Sequence, residues 1–522
     1  MLVSTKHKKL VLNLRDPERV TTIVPTAKVF EYKGHTLTAI PHRTEETRVL
    51  RNIGLDAPAP IDFHYEWSGM YTPYRHQRIT AGFATLNPRS FILNGMGSGK
   101  TAALLWAFDA LRLEGTVRKA LVICPLSTME RAWGDEIYRN FPHLSFGVMH
   151  GSRERRHKIL AEDFDVYIIN HDGIKNPDTL ALLAKKEGLD VIVVDELAEF
   201  RNSKTDRWKA LNAIINGDKK KGWAPKTWAW GATGTPIPNS PTDAWAQIRL
   251  INPPKAPGYF TAFRDAVMRK VTSFKWVARD DALEVISNMM QPAVRFARED
   301  CIDLPPTTYA TRHAPLSKEQ EQMFNEMLRR LKTEFEGGNI TAVNEAVKMS
   351  KLLQICCGVA YSGTGEEVVI PCEPRINLIR EIIDEAAAKV IVFVPFTAAL
   401  NAVAEKLREH YTVAVIHGGV PKGQRDTIFT NFQKSPDPHV LVADARAMSH
   451  GLTLTAANTT IWYGPAPSNN VYMQANERTP RPGQKLQTLI VHVEGTPVER
   501  RLYDRLQGKK STQGALLELL KG

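Results

Sequence analysis

The sequence predicts an α/β protein, with two tandem, doubly wound parallel-sheet lobes that follow a small N-terminal β-rich module. From about residue 70 onward, apolar strand-like runs alternate with helical stretches, as in parallel sheets covered on both faces. The alternation restarts after a more helical and irregular region at about 255–350. A chain of 522 residues is also too long for one hydrophobic core. We therefore expect a module at 1–65, a first lobe at 66–300 with a helical extension after about 255, and a second lobe at 301–522.

The N-terminal module is predicted from three short patterns. The run KLVLNL is strand-like, and AKVFEYKGHTLTAI predicts a hairpin that turns at Lys33-Gly34. The stretch HRTEETRVLRNIG predicts a short helix with Thr44 as its N-cap and Gly54 as its stop. Two interpretations of the module stay open: an accessory nucleic-acid clamp, or simple packing.

Each lobe is predicted from its own series of buried strands. In the first lobe these runs are FIL, KALVICP, FDVYIIN, DVIVVDE and TWAWGATG. In the second lobe they are AKVIVFVPF, YTVAVIHGG, HVLVADAR, TTIWYGP and QTLIVHVE.

A glycine-rich loop joins the strand FIL to the helix that follows it, in the stretch NGMGSGKT. Glycines let backbone N–H groups turn toward an anion, and the helix N-terminus adds partial positive charge. We predict that Lys100 reaches the β- and γ-phosphates of ATP and that Thr101 binds Mg²⁺. The predicted nucleotide-binding loop consists of Gly95, Met96, Gly97, Ser98, Gly99, Lys100 and Thr101.

An acidic pair follows a second buried strand of the first lobe. Asp195 and Glu196 come at the carboxyl end of VIVV, where ligands bind in open α/β sheets. We predict that Asp195 holds Mg²⁺ together with Thr101, and that Glu196 acts on the attacking water.

The second lobe has no phosphate loop of its own, but it carries two arginines three residues apart, Arg478 and Arg481, in YMQANERTPRPGQ. Guanidinium groups brought onto the γ-phosphate of ATP would stabilise the charge of the transition state.

Composition limits the classes of function. The net charge of +12 and pI of about 9.3 suit a polyanionic partner, although they are first of all a statement about solubility. Local basic clusters are KHKK (6–9), SRERRHK (152–158) and DKKKGW (218–223). No apolar run is long enough to span a bilayer, and the first residues lack the apolar core of a signal peptide. We expect no membrane partner.

The cysteines indicate a reducing compartment. There are five of them, an odd number, and no CxxC pair occurs, which argues against a disulfide framework or a zinc knuckle. We expect core thiols in a cytoplasmic protein, of a bacterium or an infected host, with the nucleus left open.

Six blocks in order, from about residue 70 to 490, resemble superfamily 2 helicases and, within them, the Swi/Snf-type translocases. They are NGMGSGKT, VICPLSTMERAWGDEI, VVDELAEFRNSKT, GATGTPIPNSPTDAWAQIRLINP, DLPP (303–306), and RAMSHGLTLTAANTTIWYGPAPSNNVYMQANERTPRPGQ. The resemblance implies two RecA-like lobes, ATP and Mg²⁺ as ligands, and DNA as the partner.

The resemblance also assigns roles to single residues. Gln77 in YRHQ would read the adenine edge, and Thr233 and Thr235 would couple the ATP site to the bound strand. Gln474 would close on the nucleotide from the second lobe with Arg478 and Arg481, so the predicted catalytic residues are Lys100, Asp195, Glu196, Gln474, Arg478 and Arg481. The segment 446–454 belongs to the predicted nucleic-acid groove, whose named residues are Ser127, Asn170, His171, Phe396, Arg446 and Gly451.

Three positions depart from the family pattern. Asn94 stands where the family has Asp and where the strict phosphate-loop pattern has Gly. Ala198 replaces the histidine of the DEAH block, and Pro480 stands where relatives often have His. We expect an active ATPase whose coupling to nucleic acid is changed by Ala198.

The expected activity is sequence-independent, ATP-driven movement on duplex or branched DNA, in replication, recombination or repair, with branch migration or fork reversal as the leading task. Proteins of replication or recombination are candidate partners. The alternatives are an RNA helicase, an ATP-gated scaffold that displaces or recruits proteins on DNA, and a relative without activity.

Overall fold

Two parallel sheets and one small antiparallel sheet carry most of the fold. A computed structural model describes residues 1–67, 69–238, 240–272, 276–297, 301, 305–336, 350–361, 367–448, 453–481 and 483–507. The described residues divide into two compact units, the first of which runs to Cys301 and includes the N-terminal sheet. The limits of three separate domains stay a prediction.

The N-terminal sheet is antiparallel, with two helices beside it. Its elements are β1 (Leu2–Ser4), β2 (Lys9–Leu12), α1 (Pro17–Ile23), β3 (Lys28–Tyr32), β4 (His35–Pro41) and α2 (Thr44–Asn52). The strand order is β1–β2–β4–β3. The hairpin between β3 and β4 turns at Lys33 and Gly34, both with positive φ (50° and 78°), as a two-residue turn that matches the twist of the strands requires. The predicted hairpin is confirmed.

The first unit continues with a seven-stranded sheet. Its elements are α3 (Ile61–His64), α4 (Arg75–Leu86), β5 (Arg89–Ile92), α5 (Lys100–Leu113), β6 (Lys119–Cys124), α6 (Asp135–Asn140), β7 (Phe146–Met149), α7 (Arg153–Ala161), β8 (Val166–Asn170), α8 (Pro177–Lys185), β9 (Leu189–Asp195), α9 (Asp206–Asn216), β10 (Trp228–Ala232), α10 (Asp243–Ile251), α11 (Phe260–Val267), β11 (Met268–Lys270), β12 (Trp276–Ala278), α12 (Ala282–Met289) and β13 (Ala293–Val294). The order is β13–β5–β10–β9–β6–β8–β7, and every neighbouring pair is parallel. Separate apolar cores cover its two faces.

The second unit contains a six-stranded parallel sheet. Its elements are β14 (Thr307–His313), α13 (Lys318–Glu336), β15 (Val359–Tyr361), β16 (Glu367–Val369), α14 (Glu373–Glu385), β17 (Lys389–Phe393), α15 (Thr397–Arg408), β18 (Val413–Ile416), α16 (Lys422–Lys434), β19 (Val440–Ala443), β20 (Ala457–Trp462), α17 (Asn469–Asn476) and β21 (Thr488–Glu494). The order is β14–β21–β20–β17–β19–β18, again with a core on each face. The predicted fold class of two tandem parallel-sheet lobes after a β-rich module is therefore confirmed.

One prediction about the N-terminal module was wrong. Thr44 is the first residue of α2, and Arg43 is the N-cap, without a capping side-chain hydrogen bond. The acceptor comes from elsewhere in the first unit: the backbone N–H and the hydroxyl of Thr44 both donate to the carboxylate of Glu114, at 2.6 and 2.5 Å. A carboxylate at a helix N-terminus satisfies free N–H groups and suits the helix dipole. Glu114 thereby joins α2 to the end of α5.

No helix in the described ranges combines the length and the apolar composition that crossing a bilayer requires.

Candidate functional site

Three strand ends of the first sheet lie in one row. Ala232 at the end of β10 pairs in register with Ile92 of β5 on one side and with Asp195 of β9 on the other. The glycine-rich loop, the TGTP segment and the acidic pair therefore leave the sheet side by side at its carboxyl edge. Neighbouring strands lie about 4.8 Å apart, so the row spans about 10 Å.

The glycine-rich loop curves through two left-handed residues, Gly97 (φ 76°) and Gly99 (φ 75°), before α5 begins at Lys100. The left-handed backbone at Gly99 favours glycine, and a Cβ there would also lie 2.0 Å from Nε2 of Gln77, which would have to move. The ammonium of Lys100 donates to the carbonyls of Asn94 and Gly95, at 3.0 and 3.1 Å. Lys100 is therefore held against the loop that it is predicted to serve.

Asn94 has a structural role that accounts for its departure from the family pattern. Its side-chain amide is buried, donates to the hydroxyl of Thr80 (2.8 Å) and accepts from the backbone N–H of Phe296 (3.0 Å). The Thr80 hydroxyl itself donates to the carbonyl of His76 (2.7 Å), so its oxygen is left as an acceptor. Only a group that both donates and accepts satisfies both neighbours, which favours Asn over Asp and Gly.

The first turn of α4 is tied to the same loop. The side-chain oxygen Oε1 of Gln77 accepts from the backbone N–H of Tyr74 (2.9 Å). The side-chain nitrogen Nε2 of Gln77 lies 3.4 Å from the carbonyl oxygen of Gly99. Nε2 of His76 donates to the carbonyl of Ser98 (2.8 Å). Gln77 is buried, and its contact with adenine stays a prediction.

Two N–H groups that the sequence did not assign hold the carboxylate of Asp195. The indole N–H of Trp133, from a π-helical turn at Met129–Gly134, donates to Oδ2 of Asp195 (3.0 Å), and the backbone N–H of Glu196 donates to Oδ1 (3.0 Å). Trp133 is itself buried. Trp133 belongs to the motif block VICPLSTMERAWGDEI, which was a sequence signal for it. No sequence signal indicated that its partner would be Asp195, 62 residues away.

Glu196 has a left-handed backbone, with φ 52° and ψ 51°. Non-glycine residues seldom adopt this conformation, and such strain tends to occur at functional sites.

Two predicted nucleic-acid residues lie at the end of β8. His171 is buried, its Nε2 donates to the carbonyl of Asp195 (2.8 Å), and its ring meets Phe200 edge-on at 4.9 Å. Burial lowers the pKa of His171, which keeps the imidazole neutral at physiological pH. These contacts make His171 a support for Asp195, whereas Asn170 ends the strand. Ser127 lies in the 3₁₀ turn Leu126–Thr128 that follows the neighbouring strand β6.

The TGTP segment contacts the glycine-rich loop directly. The backbone N–H of Thr233 donates to the carbonyl of Ile92 (3.1 Å), and that of Thr235 donates to the Thr233 hydroxyl (3.2 Å). A Cβ at Gly234 would lie 3.2 Å from Cγ of Met96. Both threonines are buried, and their role in coupling the ATP site to the bound strand stays a prediction.

In the second unit, the predicted catalytic residues surround the end of α17. Gln474 lies on the helix, and Arg478 follows it, buried, with its carbonyl accepting from the backbone N–H of Leu454 (3.0 Å). Nε of Arg481 donates to the carbonyl of Glu477 (2.9 Å). Burial lowers the pKa of Arg481 to about 10, so the guanidinium stays charged at neutral pH.

Two of the three remaining predicted groove residues lie within the described part of the second unit. Phe396 is the N-cap of α15, and Arg446 is bound by Asp444 (Nη2 to Oδ2, 2.8 Å), which raises the pKa of Arg446. Gly451, together with Asn239 and Asp303 of the resembling blocks, lies outside the described residues.

Comparison with known proteins gives two family matches. The SNF2-related domain matches residues 75–359, more than half of the chain, and the helicase conserved C-terminal domain matches residues 374–483.

Several curated proteins are similar over most of this chain. An uncharacterized ATP-dependent helicase of Mycoplasma genitalium is 24% identical over 434 residues, which are 81% of this chain and 40% of that protein. A putative ATP-dependent helicase/translocase of Bacillus subtilis is 24% identical, over 82% of this chain and 46% of that protein. The putative protein p41 of Acyrthosiphon pisum secondary endosymbiont phage 1 is 23% identical, over 86% of this chain and 99% of that protein. The chain thus spans less than half of two of these relatives and nearly all of the third.

Among solved structures, the SWI2/SNF2 ATPase core of Sulfolobus solfataricus in complex with dsDNA is similar with a TM-score of 0.40 and 22% identity, over 87% of this chain and 95% of that one. The family models carry the assignment: the chain belongs to the SNF2-related family and is a Swi/Snf-type superfamily 2 helicase ATPase.

Proposed function

We propose that the chain is an ATP-dependent DNA translocase that moves along duplex or branched DNA without sequence preference, in replication, recombination or repair. One observation carries the proposal: Ile92, Ala232 and Asp195 lie in register, so a phosphate loop, a coupling segment and an acidic pair share one edge of a parallel sheet. Family membership supports the class of activity, and the net charge of +12 supports a polyanionic partner.

The residues at this edge fit ATP and Mg²⁺. The left-handed backbone at Gly99 favours glycine, and Lys100 donates to the carbonyls of Asn94 and Gly95 on the loop. Thr101, in the first turn of α5, and Asp195, oriented by Trp133, would hold Mg²⁺. When bound, the ion would neutralise charge on the phosphates. Glu196 would orient the attacking water and accept its proton.

A cavity beside α4 has the chemistry of a base site. It has a volume of about 530 Å³ and is lined by Tyr74, Arg75, His76, Ile79, Arg295, Phe296 and Cys301. The rings of Tyr74 and His76 are nearly parallel, at 5.7 Å. Since Gln77 joins this turn to Gly99, adenine in the cavity would lie next to the loop that binds its phosphates.

The second unit would complete the site. We propose that Gln474, Arg478 and Arg481 close on the nucleotide, so that hydrolysis is coupled to relative movement of the two units. A nucleic-acid groove formed by both units, including Ser127, Asn170, Phe396 and Arg446, would then grip the backbone alternately.

One observation favours a second candidate, an ATP-gated scaffold that displaces or recruits proteins on DNA with little net movement. Ala198 is buried in the 3₁₀ turn Leu197–Phe200, where the family pattern has histidine, so no imidazole couples the acidic pair to its surroundings from this position. We expect a cytoplasmic protein, since all five cysteines are free thiols.

The test has two parts. ATP hydrolysis is measured with duplex, forked, four-way and single-stranded DNA and with RNA, and displacement of a third strand from a triplex is measured with ATP. The proposal expects stimulation by duplex or branched DNA and ATP-dependent displacement of the third strand. Stimulation by RNA alone would contradict it in favour of an RNA helicase, and DNA-stimulated hydrolysis without displacement would favour the scaffold. Turnover no higher than that of Lys100→Ala would indicate a protein without activity.

A further inference from the structure

A basic cleft lies between the N-terminal sheet and the helices of the first unit, away from the nucleotide edge. It has a volume of about 920 Å³, which is far larger than one phosphate ion needs. Its cationic wall is formed by Lys6 and Lys8 from the loop between β1 and β2, by Lys9 at the start of β2, and by Arg43, which precedes α2. We call these four residues the lysine wall.

The lysine wall is exposed, and its charges are not neutralised by neighbours. All four side chains are exposed to solvent, and none takes part in an ion pair within the described part of the chain. The acidic groups that line the cleft are Glu66 and Glu114. Glu114 is committed to the N-terminus of α2 through Thr44, so its charge is already opposed by the helix dipole.

The loop that carries the lysine wall is held in a fixed shape. The backbone N–H of Lys8 donates to the carbonyl of Thr5 (3.3 Å), and that of His42 donates to the carbonyl of Lys8 (2.8 Å). Lys8 has a left-handed backbone (φ 48°), which closes the turn before Lys9 enters β2. The cations are therefore presented by a turn that is anchored to the sheet at both ends.

A pair of histidines forms the floor of the cleft. Nε2 of His64 donates to Nδ1 of His42 (2.9 Å), and Nε2 of His42 donates to the carbonyl of Pro58 (2.9 Å). Burial lowers the pKa of both, and the neighbouring His42 and then Lys8 lower the pKa of His64 further. Because the floor is neutral and the lysine wall is cationic, the electrostatic potential in the cleft is positive.

We propose that this cleft binds the phosphodiester backbone of nucleic acid, as a second contact outside the motor site. Several cations spaced along one turn suit a chain of phosphates better than a single anion, and contacts from lysine to phosphate are independent of sequence. The proposal rests on the proposed function, because a protein that moves on DNA supplies the polyanion. The N-terminal module then acts as a tether that keeps the chain on its track while the motor site releases.

The test compares two triple variants with the same change in charge. Lys6→Ala/Lys8→Ala/Lys9→Ala removes most of the lysine wall, and Lys219→Ala/Lys220→Ala/Lys221→Ala removes an exposed cluster of the first unit that does not line the cleft. Binding to a fluorescein-labelled duplex of about 30 base pairs is followed by anisotropy without nucleotide, across a range of salt concentrations. Removal of one lysine–phosphate ion pair lowers the slope of log K against log salt by about 0.9. We expect a decrease of about 2–3 for the cleft variant and of less than 1 for the control.

The outcomes separate this inference from the proposed function. The cleft variant should keep its thermal unfolding profile and its basal ATPase rate without DNA, since the wall does not touch the nucleotide edge. Equal slopes in the two variants would overturn the inference. Polyglutamate serves as a second, non-nucleic polyanion. If the cleft variant lost binding to polyglutamate but kept its binding to DNA, the inference would also be overturned. If DNA did not stimulate the wild-type ATPase, the proposed function would be contradicted. The difference in salt slope between the two variants would still show whether the cleft binds DNA.

Discussion

Glu196 is the residue at which the fold and the proposed chemistry conflict most directly. A left-handed backbone at a non-glycine residue costs about 1–2 kcal/mol, and here it places a carboxylate at the end of β9 next to Asp195. A glycine would adopt the same conformation without that cost. The strain is therefore kept for the sake of the side chain.

This conflict can be measured with two substitutions. Glu196→Gly should raise the free energy of unfolding by about 0.5–1 kcal/mol, because relief of the strain exceeds the greater entropy of glycine in the unfolded chain. Glu196→Gln should leave stability unchanged, and both should bind ATP without turnover. Urea unfolding and ATPase assays give the two readouts. A glycine variant less stable than the wild type would show that the backbone is not strained.

Trp133 should act on the reaction only through Asp195. Trp133→Phe keeps the aromatic bulk and removes the N–H that donates to Oδ2, so we expect about a tenfold rise in the Mg²⁺ concentration needed for half-maximal hydrolysis. The rate at saturating Mg²⁺ should change much less. The measurement is ATPase rate against Mg²⁺ concentration.

The first sheet offers a matched control for this variant. Trp230 is also fully buried, and its indole N–H has no hydrogen-bond partner among the described residues. Trp230→Phe should leave the Mg²⁺ dependence unchanged. A shift of equal size in both variants would mean that Trp133 contributes only packing.

His492 should make stability depend on pH. It is buried in the second unit, bonded to the Tyr472 hydroxyl (2.9 Å) and stacked on Tyr503 at 4.4 Å, and burial lowers its pKa to about 4. Below pH of about 6.5 the unfolded chain takes up a proton that the folded chain refuses, so stability falls as the pH drops toward 4. We expect a decrease of up to about 3 kcal/mol from this group.

Urea unfolding at several pH values between 7.5 and 4 checks this prediction. His492→Phe should flatten the dependence, whereas His410→Gln, at an exposed position, should not. Identical pH profiles for the wild type and His492→Phe would contradict it.

At the scale of elements, the strands that the sequence did not predict share one property. β1, β7, β13 and β14 each lie at the edge of their sheet, and β11, β12, β15 and β16 belong to two-stranded sheets, in which every strand is an edge. An edge strand is covered on fewer sides, so its sequence need not be a continuous apolar run; in β14 every residue is exposed or half-buried. The inner strands of the two parallel sheets are almost entirely buried, and all of them were recognised as strand-like runs.

The junction between α2 and α5 is a second feature that local patterns do not reveal, because Thr44 and Glu114 are 70 residues apart. Glu114→Ala should weaken the docking of α2 by about 1–2 kcal/mol, since it removes two hydrogen bonds at a helix N-terminus. Hydrogen exchange of the amides of α2 should become faster. Glu66→Ala, another acidic residue of the same cleft, is the control and should leave exchange unchanged. Unchanged exchange in Glu114→Ala would show that the module docks without this pair of bonds.

At the scale of the whole molecule, the sequence revealed the parts of the site and not their supports. The loop glycines, Lys100 and the Asp195–Glu196 pair are contiguous or follow strands, so their spacing predicts where they lie. The bonds from Asn94 to Phe296 and from Trp133 to Asp195 cross 202 and 62 residues of chain, and only the folded sheet brings those partners together. These bonds could not be predicted because their partners are distant in sequence and come together only through the order of strands in the sheet.

We propose that residues of both units act on one ATP. Lys100 and Glu196 belong to the first unit, and Arg478 and Arg481 belong to the second. If hydrolysis drives movement on DNA, neither set can support turnover alone, although the first set should suffice for binding the nucleotide.

The most direct test is therefore ATP turnover by Arg481→Ala with saturating duplex DNA, measured beside the binding of a fluorescent ATP analogue. We expect turnover to fall by about 10³-fold or more while nucleotide affinity stays within a few fold of the wild type, as in Glu196→Gln. Turnover by Arg481→Ala at the wild-type rate would contradict the shared site, and with it the proposal that hydrolysis moves one unit against the other.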